Sequence, residues 1–248
     1  ARIFLPSMDS PLTQEFRINT KRDRVPFVMF GKPPYNGPTP TQPKPKGEYR
    51  VVMLGGSTVE HGDPAIPELL EQGLREKGAE NLRVFNYGVV SANSGNQLAR
   101  LVFQVLDLKP DLVVFYDGVN DTQHPMHNDP RPGYSFDHLV YEKHPLISAS
   151  TADYPLIPLL LYGSELMRRC CADYFIDQFT QMKSLREAVG YGKKEWRQEI
   201  ARIYVQNAIK ARKITEAHGS RFLWFYQPLV NFKDPRTPAE DSMAFHPE

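Results

Sequence analysis

A three-layer α/β/α sandwich around a central parallel sheet is the fold class this sequence predicts, and three observations predict it. Short apolar runs recur at residues 49–54, 82–90, 111–116 and 221–226. Between the first three runs, residues 67–77 and 98–108 place apolar side chains at helical spacing, so that strand, helix, strand, helix and strand alternate as in βαβ units. The runs are also nearly continuous in apolar residues, as strands covered on both faces are.

The elements follow in order. Residues 1–48 are polar and rich in proline, ending in Gly31-Lys32-Pro33-Pro34-Tyr35-Asn36-Gly37-Pro38 and a further run through Lys46-Gly47. Proline fixes φ and lacks the amide donor, so this stretch is neither helix nor central strand; it is an extended arm leading into a domain at 49–248. Tyr49-Arg50-Val51-Val52-Met53-Leu54 is the first strand, ended by Gly55-Gly56. A helix at 67–77 stops at Gly78, residues 82–90 form the second strand, and Lys109-Pro110 separates the helix at 98–108 from the third strand, Asp111 to Tyr116. Residues 122–160 break the periodicity and are expected as an insertion or long loop. Helix resumes over 161–189 and again, long and amphipathic, over 194–218 before Gly219. The fourth strand, 221–226, ends at Gln227-Pro228. The fold class is flavodoxin-like, and no internal repeat is present.

At 248 residues the chain suffices for one large α/β domain. Hydrophobic residues at 41% and charged residues at 24% are an ordinary globular balance. A net charge of +1 supplies no field for nucleic acid or an anionic membrane, and no basic stripe with interleaved aromatics is present. No run of about 18 apolar residues occurs, so no spanning membrane segment is expected. The start, Ala1-Arg2-Ile3-Phe4, lacks the charged and apolar regions of a signal peptide. With the proline arm, it suits a domain exported or tethered outside the cytoplasm. The two cysteines, Cys170 and Cys171, are adjacent and are expected as thiols, because neighbouring cysteines bridge only with strain.

In open parallel sheets, ligands bind beyond the carboxyl ends of the strands. The first strand ends in Gly55-Gly56-Ser57-Thr58-Val59, a sharp turn that offers a hydroxyl and free amides. Such amides hold phosphate or an oxyanion; equally, Ser57 can serve only to cap the next helix. The second strand ends in Asn86-Tyr87-Gly88-Val89-Val90-Ser91, and the third in Tyr116-Asp117-Gly118-Val119-Asn120-Asp121. Asn120 either aims its amide at the space beside Ser57 or satisfies loop carbonyls. A nucleophile and several donors on one rim are what acyl transfer requires.

These three segments resemble blocks I, II and III of the SGNH (GDSL-like) hydrolases. The resemblance covers residues 49–121 well and 221–228 loosely. It implies an SGNH-type sandwich with Ser57 as nucleophile, the backbone amides of Ser57 and Ser91 and the Asn120 side chain as oxyanion donors, and Asp121 as the anchor of its loop. Gly56 stands where the family usually has Asp, and Ser91 where it has the oxyanion glycine; Gly88 is expected only as a turn residue. The family's base and its orienting acid come from Asp-x-x-His after the last strand. This chain has none there. Asp241 and His246 stand nearest, five residues apart rather than three. The block lies beyond residue 248, or His246 is the base with Asp241 behind it, or the dyad is lost.

The remaining histidines are weaker candidates. His61 is expected at the surface. His124, His127, His138 and His144 sit in the irregular stretch without the spacing of a zinc motif, and His218 is expected at a helix C-terminus. No cofactor and no metal is implied. The expected function is ester hydrolysis on small O-acyl groups, on carbohydrates or short lipids. The alternative is a catalytically inactive member that binds a protein partner through its arm. A nucleotide-binding flavodoxin-like domain is disfavoured, since no P-loop lysine and no Gly-x-Gly-x-x-Gly is present.

Overall fold

The structure, a computed structural model, describes residues 33–34, 36–135, 182–229 and 234–239. Asp241, His246, His138, His144, Cys170 and Cys171 lie outside the described residues, as do most of the expected 122–160 insertion and of the helix at 161–189.

Four strands form one parallel sheet in the order β2-β1-β3-β4: β1 (Tyr49–Gly55), β2 (Leu82–Gly88), β3 (Leu112–Asp117) and β4 (Arg221–Tyr226). β1 lies centrally, and its side chains alternate between two cores. Val52 and Leu54 join Phe85, Tyr87, Val113 and Phe115 on one face. There they meet Leu101 and Val105 beyond helix α3 (Ser94–Arg100) and Ala211 of helix α6 (Lys194–Ala217). Val51 and Met53 join Val84 and Val114 on the other face, against Val59 of α1 (Ser57–Glu60) and Ile66, Leu70 and Leu74 of α2 (Ile66–Glu76). Both faces of the inner strands are therefore covered, which is why their sequences read as continuous apolar runs. The layers are the expected α/β/α sandwich.

Two further helices complete the described chain, α4 (Val119–His127) and α5 (Met182–Val189). α4 corrects the expected boundary of the insertion, whose first six residues are helical. After Arg100 the helix widens into a π-turn over Leu101–Val105 and tightens into a 3₁₀ turn at Leu106–Leu108. Among the described residues β4 is at the sheet's edge, and Leu223, Trp224, Phe225 and Tyr226 remain 37–49% exposed.

The part of the proline arm that is described packs onto its own domain. Buried Arg50 donates to the Thr41 carbonyl at 2.9 Å, to Leu108 at 2.7 Å and to the Glu48 carboxylate at 2.6 Å. Lys44 pairs with Asp111, whose carboxylate also accepts from the Arg50 amide. These contacts gather at the end of the sheet where the strands begin, opposite the rim that carries Ser57.

Candidate active site

The rim is built by three strand exits that touch one another. β1 leaves through Gly55-Gly56 into α1, so Ser57 stands at the first position of a helix whose N-cap is Gly56. Its side chain is exposed and makes no hydrogen bond among the described residues. No side chain caps this helix, and the Ser57 amide has no acceptor among the described residues.

The second exit is pinned to the first. Asn86 donates to the carbonyls of Val59 at 2.8 Å and Glu60 at 3.3 Å, and its oxygen accepts from the Gly88 amide at 3.0 Å. A Cβ on Gly88 would lie 2.2 Å from the Glu60 nitrogen. Gly88 is thus a close-approach residue and not merely a turn residue: only a residue without a side chain lets β2 run this near α1. Beyond it, Val89 donates to Gly55 O at 2.9 Å, and Ala92 donates to Val89 O at 3.0 Å, closing a tight turn. Ser91 occupies that turn with φ of 63°. The left-handed region explains why glycine suits the corresponding place in the resembled family. The Ser91 amide has no acceptor among the described residues.

The third exit brings Asn120, on the first turn of α4, against Gly56. Its Nδ2 donates to Ala92 O at 2.9 Å and would lie 2.5 Å from a Cβ on Gly56. A residue with a side chain at 56 would push this amide aside. One Nδ2 hydrogen is used by Ala92, and the other is available. The structure thus brings Ser57, Ser91 and Asn120 onto one rim. His246 and Asp241 cannot be placed on it.

Acidic groups buried behind Asn120 hold the rim in place. Asp121 accepts from the Ser94 amide at 3.1 and 3.0 Å and from the Ser94 hydroxyl, which also accepts from Asn207 Nδ2 at 3.0 Å. Asp121 therefore ties α4 to the start of α3. Burial lifts its carboxyl to about 6, against the hydrogen bonds from Ser94. Asp117 accepts from Tyr204 at 2.8 Å and Trp224 at 3.3 Å through one oxygen, while the other has no partner among the described residues. Burial first, and the Asp121 charge second, push Asp117 up to about 7. Burial and the same Asp117 charge raise the Tyr204 phenol above its ordinary value.

His124, one helical turn past Asn120, is buried, and desolvation with the neighbouring His127 lowers it to about 4. His61 is exposed at the end of α1, as expected. No described histidine hydrogen-bonds to Ser57. Among the described residues, no three His, Cys, Asp or Glu side chains converge as metal ligands, and no helix is long and apolar enough to cross a membrane.

Two features surround the rim. Gln227, where β4 ends, donates its amide to Thr58 Oγ1 at 2.8 Å and its backbone N–H to Asp117 O at 2.7 Å. The chain leaving β4 therefore starts beside the residue after Ser57. On the other side, a cavity of about 390 Å³ is lined by Asn93, Gly95, Asn96, Gly133, Tyr134 and Ser135. Arg131 stacks on Tyr134 with its guanidinium 3.8 Å from the ring centre.

The strand ends placed Ser57 and Asn120, and the resemblance added Ser91, at positions that share this rim. Glu60, which is buried and accepts from the Val90 amide at 2.5 Å, was not singled out by the sequence. Nor was the burial of Asp117 and His124, for which the sequence offered no local signal.

No family model and no curated protein matches the chain. Among solved structures it is similar to the acetyl xylan esterase AlAXEase, at 16% identity and a TM-score of 0.32, over 71% of this chain and 76% of that one. It is similar to a catalytic mutant of an acetylxylan esterase from Geobacillus stearothermophilus at 17% identity and a TM-score of 0.30, over 71% and 75% of the two chains. It is also similar to an α/β hydrolase from the metagenome of Lake Arreo, Spain, at 18% identity and a TM-score of 0.30, over 70% and 75%.

Proposed function

We propose that this chain is a serine ester hydrolase that works by acyl transfer, with Ser57 as its nucleophile. One observation carries the reading. An exposed, unbonded hydroxyl shares its rim with two backbone amides that lack acceptors and with an Asn120 amide that has one N–H to spare. The first N–H groups of a helix have no intrahelical partner and can serve a ligand. Left free around a serine, they suit a charge that exists only during reaction.

In the proposed cycle Ser57 Oγ attacks the ester carbonyl as a base takes its proton. The amides of Ser57 and Ser91 and the Asn120 side chain hold the oxyanion. The alkoxide leaves with the proton, and water, deprotonated by the same base, releases the acid from the acyl-serine. His246, with Asp241 as its orienting acid, is the proposed base. The Gln227–Thr58 hydrogen bond supports this, because it starts the C-terminal segment beside Ser57. His246 follows Gln227 by 19 residues, and at about 3.3 Å per residue the reach is ample. The cavity that includes Asn93, the residue after Ala92, is lined by the Asn93 and Asn96 amides, Ser135 and Tyr134, and a lining of this kind suits a hydroxylated leaving group.

A second reading is a non-catalytic binding module, and the five-residue spacing of Asp241 and His246, where the resembled family has three, favours it. Hydrolysis of p-nitrophenyl acetate separates the two. The hydrolase reading expects turnover that Ser57→Ala abolishes and His246→Ala lowers by about 10³-fold or more. Turnover that survives Ser57→Ala in the purified protein, or none in the wild type, contradicts it.

A further inference from the structure

We infer that Glu60 is a positioning residue of the oxyanion turn, holding the Ser91 amide free to donate; the inference rests on the hydrolase reading above. Along the turn, Val89 N–H is used by Gly55 and Ala92 N–H by Val89, both backbone carbonyls. Val90 N–H alone is used by a side chain, the Glu60 carboxylate, at 2.5 Å. That leaves Ser91 as the amide of the turn without an acceptor among the described residues, and Ser91 is the residue in the left-handed region. A non-glycine residue there is strained and persists only where its surroundings over-determine it. Glu60 provides that constraint from one residue before the left-handed position.

The glutamate itself is fixed. It is 3% exposed. Its carbonyl accepts from Asn86 at 3.3 Å and from Asn36 at 3.0 Å, and Gly88 packs on its nitrogen. A charge-assisted hydrogen bond launched from so rigid a point ties the helix of the nucleophile to the turn of the second donor. If the Val90 N–H loses its acceptor, the peptide between Val89 and Val90 is free to turn, and the adjoining Val90–Ser91 peptide, which carries the Ser91 donor, shifts with it.

The test compares Glu60→Gln, Glu60→Asp and Glu60→Ala by kcat and KM on p-nitrophenyl acetate, with Tm measured alongside. Glutamine keeps an acceptor at the same reach without charge. Aspartate keeps the charge but falls one methylene short. We expect Glu60→Gln within about threefold of wild type, with Glu60→Asp and Glu60→Ala losing about 10–100-fold in kcat and KM changing by less than about twofold, the signature of an impaired oxyanion donor. Glutamine as poor as aspartate, or alanine with full kcat, overturns the inference. Should Glu60→Ala not fold, the glutamine–aspartate pair decides it. An inactive wild type contradicts the hydrolase reading itself and takes this role with it, whereas an active wild type indifferent to Glu60 contradicts this role alone.

Discussion

Ser91 carries the site's most informative backbone angle, a φ of 63° in a turn whose neighbouring amides are all bonded. Glycine enters that region without a Cβ penalty, and proline, with φ near −65° and no N–H, cannot. Ser91→Gly is therefore expected to keep esterase activity with a Tm equal to or above wild type. Ser91→Pro is expected to abolish activity, and a differential scanning trace beside the assay separates lost donor from lost fold. Asn120→Ala should lower kcat by about 10²–10³-fold, the usual effect of deleting one oxyanion donor; a loss confined to KM would show that Asn120 serves binding instead. Ser57 and Asn120 were legible in the sequence because each follows an apolar run, and a parallel sheet sends such residues to one rim; Ser91 was legible through the resemblance. Glu60 was not. In Ser57-Thr58-Val59-Glu60-His61 it reads as a surface glutamate, and its burial depends on a partner 30 residues away.

At the scale of elements, the site depends on how closely β2 approaches α1. Gly88 permits that approach, and a methyl group there would sit 2.2 Å from the Glu60 nitrogen, where backbone must move. Gly88→Ala is accordingly expected to cost several degrees of Tm and to reduce activity by more than the fold is destabilised, since it displaces both Ser57's helix and Glu60. A variant with wild-type Tm and kcat would show that the junction yields without consequence. The four strands were readable from their apolar runs, and β4 begins and ends where its sequence indicated. α4 was not readable. Asn120, Asp121, His124 and Pro125 show no apolar stripe, and what fixes the helix is tertiary: Asp121 buried on Ser94, and His124 buried one turn later. Polar residues buried by long-range partners are what periodicity cannot detect.

Across the whole molecule, the buried acids make stability depend on pH in an unusual direction. Asp117 lies near 7 and Asp121 near 6, against an ordinary 3.8. Both bind protons more tightly in the folded state. Their contribution is complete below about 4 and is lost as pH rises through about 6 to 7. His124, lowered to about 4 from 6.5, acts oppositely, its contribution being lost on acidification below its ordinary value. Asp117→Asn isolates the first effect, since the amide mimics the neutral acid. The variant is expected to match wild type in Tm near pH 4, to gain on it up to about pH 7 and to hold that gain to pH 8. A difference that does not change with pH would mean that Asp117 is ionised throughout. Burial creates this behaviour, against the lowering hydrogen bond from Tyr204, 87 residues away, and nothing local in the sequence points to it.

Whether Ser57 is an activated nucleophile is decided by a fluorescent fluorophosphonate probe. Such a probe forms a bond only with a serine whose base and oxyanion hole are working together. Stoichiometric labelling is expected for the wild-type chain, none for Ser57→Ala, and slow labelling for Asn120→Ala. Folded wild-type protein that stays unlabelled, or labelling that persists in Ser57→Ala, would contradict the role of Ser57 as nucleophile.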